Sequence, residues 1–115
     1  MEIDYIMLCE TYVNDDNAHL SKLPNYKFIY KQNRKIKSKG GVAIYIRDSI
    51  QYNLREDLSI VIEGEFESIF IESINNGQTS IVGEIYRIPN TNVSLSIQRY
   101  EAILHKLKQS SYNSH

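Results

Sequence analysis

Two short stretches of this 115-residue sequence hold side chains whose type and position suit chemistry on a phosphate. In the first, Glu10 directly follows the apolar run Tyr5-Ile6-Met7-Leu8-Cys9. A carboxylate at the C-terminal end of a buried strand is where open α/β folds place ligand-contacting groups. Mg2+ prefers oxygen donors and often takes only one or two protein carboxylates, with water and substrate phosphate completing its shell. Glu10 alone is therefore chemically sufficient as a partial metal ligand; the competing reading is a solvated turn acid. In the second stretch, Val82 to Asn90, an alternating strand ends in Tyr86, Arg87, a rigid Pro89 turn and Asn90. A phenol, a guanidinium and an amide there could converge on one phosphate, with arginine supplying bidentate geometry. The competing reading is a strand running into a Pro-Asn turn.

The segment Lys31 to Lys39 carries Lys31, Arg34, Lys35, Lys37 and Lys39 without an acid. Such a cluster is either a solvated loop or, through Arg34, Lys35, Lys37 and Lys39, a surface for DNA phosphates. The histidines suggest no catalytic base. His19 lies in a polar loop, His105 on a helix between Leu104 and Lys106, and His115 at the end; no two stand at metal-binding spacing.

The elements that must position these residues are legible from periodicity. Tyr5–Cys9 reads as a strand buried on both faces, with Cys9 packing as a small hydrophobe. After a polar, turn-rich loop to Leu23-Pro24-Asn25, alternation returns: Tyr26, Phe28 and Tyr30 point one way, Lys27, Ile29 and Lys31 the other. Gly40-Gly41 precedes a second alternating strand, Val42 to Arg47. Leu58 to Glu63 and Phe66 to Ile74 are rich in β-branched and aromatic residues, and Asn75-Asn76-Gly77 offers the positive-φ positions of a tight hairpin returning through Gln78 to Arg87. Beyond Pro89-Asn90, Ile97, Tyr100, Leu104 and Leu107 follow helical spacing, with Ser94 or Ser96 as N-cap and a tail from Ser110 that frays. The expected class is α+β, or a layered α/β sandwich, with a mostly antiparallel sheet and a C-terminal helix.

Composition sets the bounds. The length and 42% hydrophobic content allow one modest core and not two. A net charge of -1 gives no global pull toward nucleic acid or anionic membrane. A single cysteine excludes a disulfide framework or cysteine-rich zinc module and fits a reducing, intracellular compartment, nucleus or cytoplasm. The acidic start Met1-Glu2-Ile3-Asp4 has no signal-peptide character, and no apolar run approaches membrane-spanning length.

Four stretches, in order, carry a family resemblance: Ile6-Met7-Leu8-Cys9-Glu10-Thr11-Tyr12, Gly40-Gly41-Val42-Ala43-Ile44-Tyr45-Ile46-Arg47, Phe66-Glu67-Ser68-Ile69 and Tyr86-Arg87-Ile88-Pro89-Asn90. Together with Leu23-Pro24-Asn25-Tyr26 they cover most of the chain. The set resembles the apurinic-type endonuclease domain of non-LTR retrotransposon (LINE-like, jockey-like) polyproteins, within the endonuclease/exonuclease/phosphatase superfamily. The resemblance implies a fragment of a four-layered α/β/β/α sandwich. It implies Glu10 as a Mg2+ ligand, Mn2+ being a possible substitute, Tyr86 as the tyrosine contacting the scissile phosphate, and Asn90 as a residue shaping the site. Arg87 fills a position where this branch commonly has arginine, and Ile88 replaces a usual proline.

The departures lie at the ends. The family's opening strand with its active-site asparagine has no counterpart before Met1. The Gly-Asp-Phe-Asn segment and the late Ser-Asp-His segment, which supply the remaining catalytic groups, have none after the helix. The resemblance therefore implies residues 1–115 as the N-terminal half of a DNA-cleaving domain, inactive alone. A non-enzymatic binding or assembly remnant and the phosphatase branch of the same superfamily are the alternatives. Half a sandwich would leave apolar faces and strand edges in water, so self-association through exposed edges is expected.

Overall fold

A computed structural model of the chain describes residues 3–9, 11, 22–30, 41–62, 65–87 and 93–113, with side chains to 109. Seven strands and one helix follow in the order β1 (Tyr5–Cys9), β2 (Tyr26–Tyr30), β3 (Val42–Arg47), β4 (Gln51–Leu54), β5 (Val61–Ile62), β6 (Phe66–Asn75), β7 (Gln78–Arg87) and α1 (Val93–Asn113). The class is mixed α+β, and every strand pairing among the described residues is antiparallel.

The strands form two sheets. In the first, β3 is central, with β1 and β2 on its two edges. In the second, β6 is central: β7 pairs along its whole length, so β4 and β5 share its other edge, β4 on the C-terminal half and β5 on the first residues. The β6–β7 hairpin closes through Asn76 (φ 54°) and Gly77 (φ 79°). Two consecutive positive-φ residues make a turn whose twist matches the strands, which is why Asn-Gly is found there.

Alternation along the strands sorts side chains into layers. Ile29, Val42, Ile44 and Ile46 of the first sheet meet Ile69 and Ile71 of β6, and Ile50 joins them, forming the core between the sheets. The opposite face of β6 presents Phe66 and Phe70, which with Leu58 bury Ile103 of α1; the Phe66 and Tyr100 rings stand edge to face, 5.7 Å apart. The layer order is thus sheet, sheet, helix.

Four expectations are corrected. Strand β1 is half-buried, not buried on both faces: it is an edge strand, with Met7 41% exposed and Cys9 exposed. The strand expected over Leu58 to Glu63 contracts to Val61–Ile62. Upstream of it the Ser68 hydroxyl donates to the Leu58 carbonyl (2.6 Å) and accepts from the Ile60 N–H, while the Ser59 hydroxyl accepts from the Phe70 N–H (3.0 Å). Serine hydroxyls have replaced ladder bonds there. A short strand, Gln51–Leu54, was not anticipated. Finally, α1 begins at Val93, ahead of both serines considered as caps, and continues through Ser110–Asn113 where fraying was expected. It docks through Ser96 and Ile103, leaving Ile97 and Leu104 each 52% exposed. Periodicity found a stripe, but the tight row beside it, with a small serine, lets the helix approach the sheet.

Candidate functional site

The sites expected from sequence divide sharply. Tyr86 and Arg87 are described; Glu10, Asn90, Arg34, Lys35, Lys37 and Lys39 lie outside the described residues, as do His19 and His115. His105 is exposed on α1 within 3.2 Å of the Gln109 amide, as a solvated helix residue.

Tyr86 is half-buried on the inner face of β7 and packs against the core between the sheets. Its cross-strand partner is Glu67, and opposite residues on one face of an antiparallel pair are immediate neighbours. Glu67 is 1% exposed. Its Oε2 accepts a 2.5 Å hydrogen bond from the backbone N–H of Gly41. The carbonyl of Gly41 in turn accepts from the backbone N–H of Thr11 (3.2 Å). Thr11, Gly41, Glu67 and Tyr86 therefore meet at one end of the sandwich, where β1 and β7 finish and β3 and β6 begin. Gly41 adopts φ 102°, a conformation L side chains rarely take, and the carboxylate fixes that strained turn from below.

Arg87 behaves differently. Successive strand residues point to opposite faces, and Arg87 pairs with Phe66 on the helix side, exposed. Convergence of the Tyr86 and Arg87 side chains from one strand face is thereby corrected: the pleat directs the arginine away from the tyrosine.

Two acids at this end escaped the sequence reading. Besides Glu67, Glu84 lies on the same inner face, two residues before Tyr86 and across from Ile69. Burial pushes its carboxyl up to about 7, with the backbone N–H groups of Ala43 and Leu8 offsetting part of that rise. Its Oε1 is buried without a hydrogen-bond partner among the described residues. The signal was available: a two-residue Asn-Gly turn fixes the hairpin register, which sets Glu67 opposite Tyr86 and places Glu84 on their face.

The far end of the first sheet carries an open apolar hollow of about 620 Å3 bordered by Leu23, Pro24, Tyr26 and Phe28, with Lys22 and Asp48 at its rim. Asn25 (φ 70°) shapes the turn there. No residue of the candidate site reaches it. Among the described residues no three His, Cys, Asp or Glu side chains gather to hold a metal, and no helix is long and apolar enough to cross a membrane. Comparison with protein-family models, with curated proteins and with solved structures finds no match to this chain.

Proposed function

We propose that this chain is the N-terminal half of a Mg2+-dependent phosphodiesterase domain of the endonuclease/exonuclease/phosphatase superfamily, from the non-LTR retrotransposon branch, acting on DNA as part of a larger domain. The observation that carries the reading is the meeting of all four resembling stretches at one end of the sandwich. Thr11 from the first bonds Gly41 of the second, Gly41 bonds Glu67 of the third, and Glu67 faces Tyr86 of the fourth. Stretches more than fifty residues apart in sequence have no local reason to share one corner. The layer order of sheet, sheet and helix is compatible with three layers of a four-layered α/β/β/α sandwich.

In this reading Glu10, between Cys9 and Thr11, is the metal-ligating carboxylate. The donor set suits Mg2+, which retains waters and asks few ligands of the protein; the nearby Glu67 is committed to the Gly41 backbone. When bound, the ion would stabilise charge developing on the phosphate. The Tyr86 hydroxyl, on a rigid strand end, donates to a phosphate oxygen, and Asn90 shapes the turn beyond it. Glu67 positions the Gly41 turn beside them. With no base assigned among these residues, the chain holds phosphate and metal without turning substrate over.

The test is a Mn2+ titration read by electron paramagnetic resonance, run beside plasmid nicking in Mg2+. A bound-Mn2+ signal that disappears in Glu10→Ala, with no nicking by either protein, is the expected result. Mn2+ binding unchanged in Glu10→Ala would remove the metal assignment, and nicking that depends on Glu10 would overturn the claim of inactivity.

A further inference from the structure

The outer edge of β7 and the exposed flank of α1 belong to one surface, and the hydrogen-bonded contacts of the helix establish this. On α1, Arg99 lies 3.7 Å from Glu65, and Lys106 donates to the Asp57 carbonyl at 2.9 Å. Both contacts are on the β4–β5 side of β6. At about 100° per residue, Arg99 and Lys106 occupy one flank of the docked row Ser96–Ile103. Ile97 and Leu104 occupy the opposite flank, so they overhang the β7 side. Val93, 56% exposed, shares that flank.

Beneath this overhang, β7 presents an edge ten residues long without proline, lysine or bulge; its register with β6 is unbroken from Asn75↔Gln78 to Phe66↔Arg87. The tight turn makes Asn75 and Gln78 a hydrogen-bonded pair, so by alternation Thr79, Ile81, Gly83 and Ile85 aim their N–H and C=O groups at the free edge. Nothing among the described residues pairs with them. Their side chains lie on the helix-side face, where Ile81 and Ile85 are only half-buried. Natural edges of this length are normally blocked; here the inward-pointing Glu84 is the one such device on the strand.

We infer that β7 pairs with β7 of a second copy, antiparallel about Gly83, forming a twofold dimer in which α1 of each copy covers the junction. The sequence is self-complementary in that register. Ile81 faces Ile85 of the partner subunit, each such pair exchanging two N–H···O bonds, and Gly83, over which the Phe70 ring lies, leaves the axis free of side chains. Ile97 and Leu104 then lose their exposure against the joined sheet. The interface is isologous and closed, which distinguishes it from open-ended edge aggregation. The inference does not depend on the proposed phosphodiesterase reading.

Sedimentation equilibrium of the chain over about 5–200 µM, bracketing the affinity range of modest interfaces, decides it. The expected result is a monomer–dimer equilibrium without higher species. Ile81→Pro removes an N–H that serves only the free edge and yields a monomer that still unfolds cooperatively. Ile97→Lys, at an exposed helix position, weakens the dimer at least tenfold. A monomer throughout the range overturns the inference, as does indefinite aggregation. Should Ile81→Pro fail to fold, a dimer of unchanged affinity in Ile97→Lys overturns it as well.

Discussion

The Glu67 carboxylate is bonded to the Gly41 backbone N–H at 2.5 Å, joining the first residue before β3 to the second residue of β6 across the two sheets. A hydrogen bond to a buried charged group contributes more than a neutral one, and its loss leaves a buried donor unmet. Glu67→Ala is expected to destabilise the fold by about 3 kcal/mol and Glu67→Gln, which keeps an acceptor, by about 1 kcal/mol. Urea denaturation midpoints at constant slope measure both. Equal losses in the two variants would mean that side-chain volume, and not the bond, is what the position requires.

The Glu84 carboxyl gives stability a pH dependence of unusual sign for an acid. In the folded state it titrates at about 7, against an ordinary value of 4.5. The folded chain therefore holds the proton more tightly, and stability is highest below pH ~4.5, falls as pH rises toward ~7 and is level above. Allowing for solvent screening of a half-buried carboxyl, the fall amounts to about 1 kcal/mol. Glu84→Gln is expected to abolish this component. The measurement is the difference in unfolding free energy between wild type and variant at pH 5 and pH 8; a difference independent of pH would contradict it.

Gly83 is irreplaceable by even the smallest side chain. A Cβ there would collide with the Phe70 ring and with the Ile69 carbonyl oxygen, and backbone gives way far less readily than a flexible side chain. Gly83→Ala is expected to cost about 2 kcal/mol, in the range of core overpacking. Thermal unfolding compared with Gly77→Ala separates the causes, because at Gly77 nothing obstructs a Cβ and the penalty comes from φ +79° alone.

If the cluster Arg34, Lys35, Lys37 and Lys39 contacts DNA phosphates, replacing all four with glutamine lowers affinity and flattens the salt dependence. Each lost contact removes about 0.9 from the slope of log K against log salt on duplex DNA. Fluorescence anisotropy with a labelled duplex across a salt series reads both effects, and an unchanged slope would exclude the cluster from the interface.

The sequence reading succeeded where one local rule determined the outcome. Alternation located β2, β3, β6 and β7, and Asn76-Gly77 located the hairpin, because a pleat period and a positive-φ turn are encoded in adjacent residues. It failed where neighbours in space decided. Nothing local to Tyr5–Cys9 distinguishes an edge strand from a central one. Nothing local to Leu58–Ile60 announces that Ser59 and Ser68 will exchange hydroxyl bonds across to β6. On α1 the stripe Ile97, Tyr100, Leu104 is the more apolar, yet the docked row is chosen by Phe66 and Phe70, supplied by the sheet. The candidate site shows the same division: Tyr86 was visible as a strand-end residue, whereas Glu67 and Glu84 gained significance only once the hairpin register was fixed.

That register depends on a turn far from the residues it governs. Asn76 and Gly77 stand at one tip of a hairpin whose other end carries Glu67 and Tyr86. The pleat has a period of two, so the turn acts as a parity switch for everything downstream. Lengthening it by one residue while keeping β7 paired would turn Tyr86 and Glu84 toward α1 and bring Ile85 and Arg87 into the space between the sheets. A loop-tip insertion, ordinarily among the mildest changes a protein can receive, would here exchange the contents of two layers without altering one residue of either.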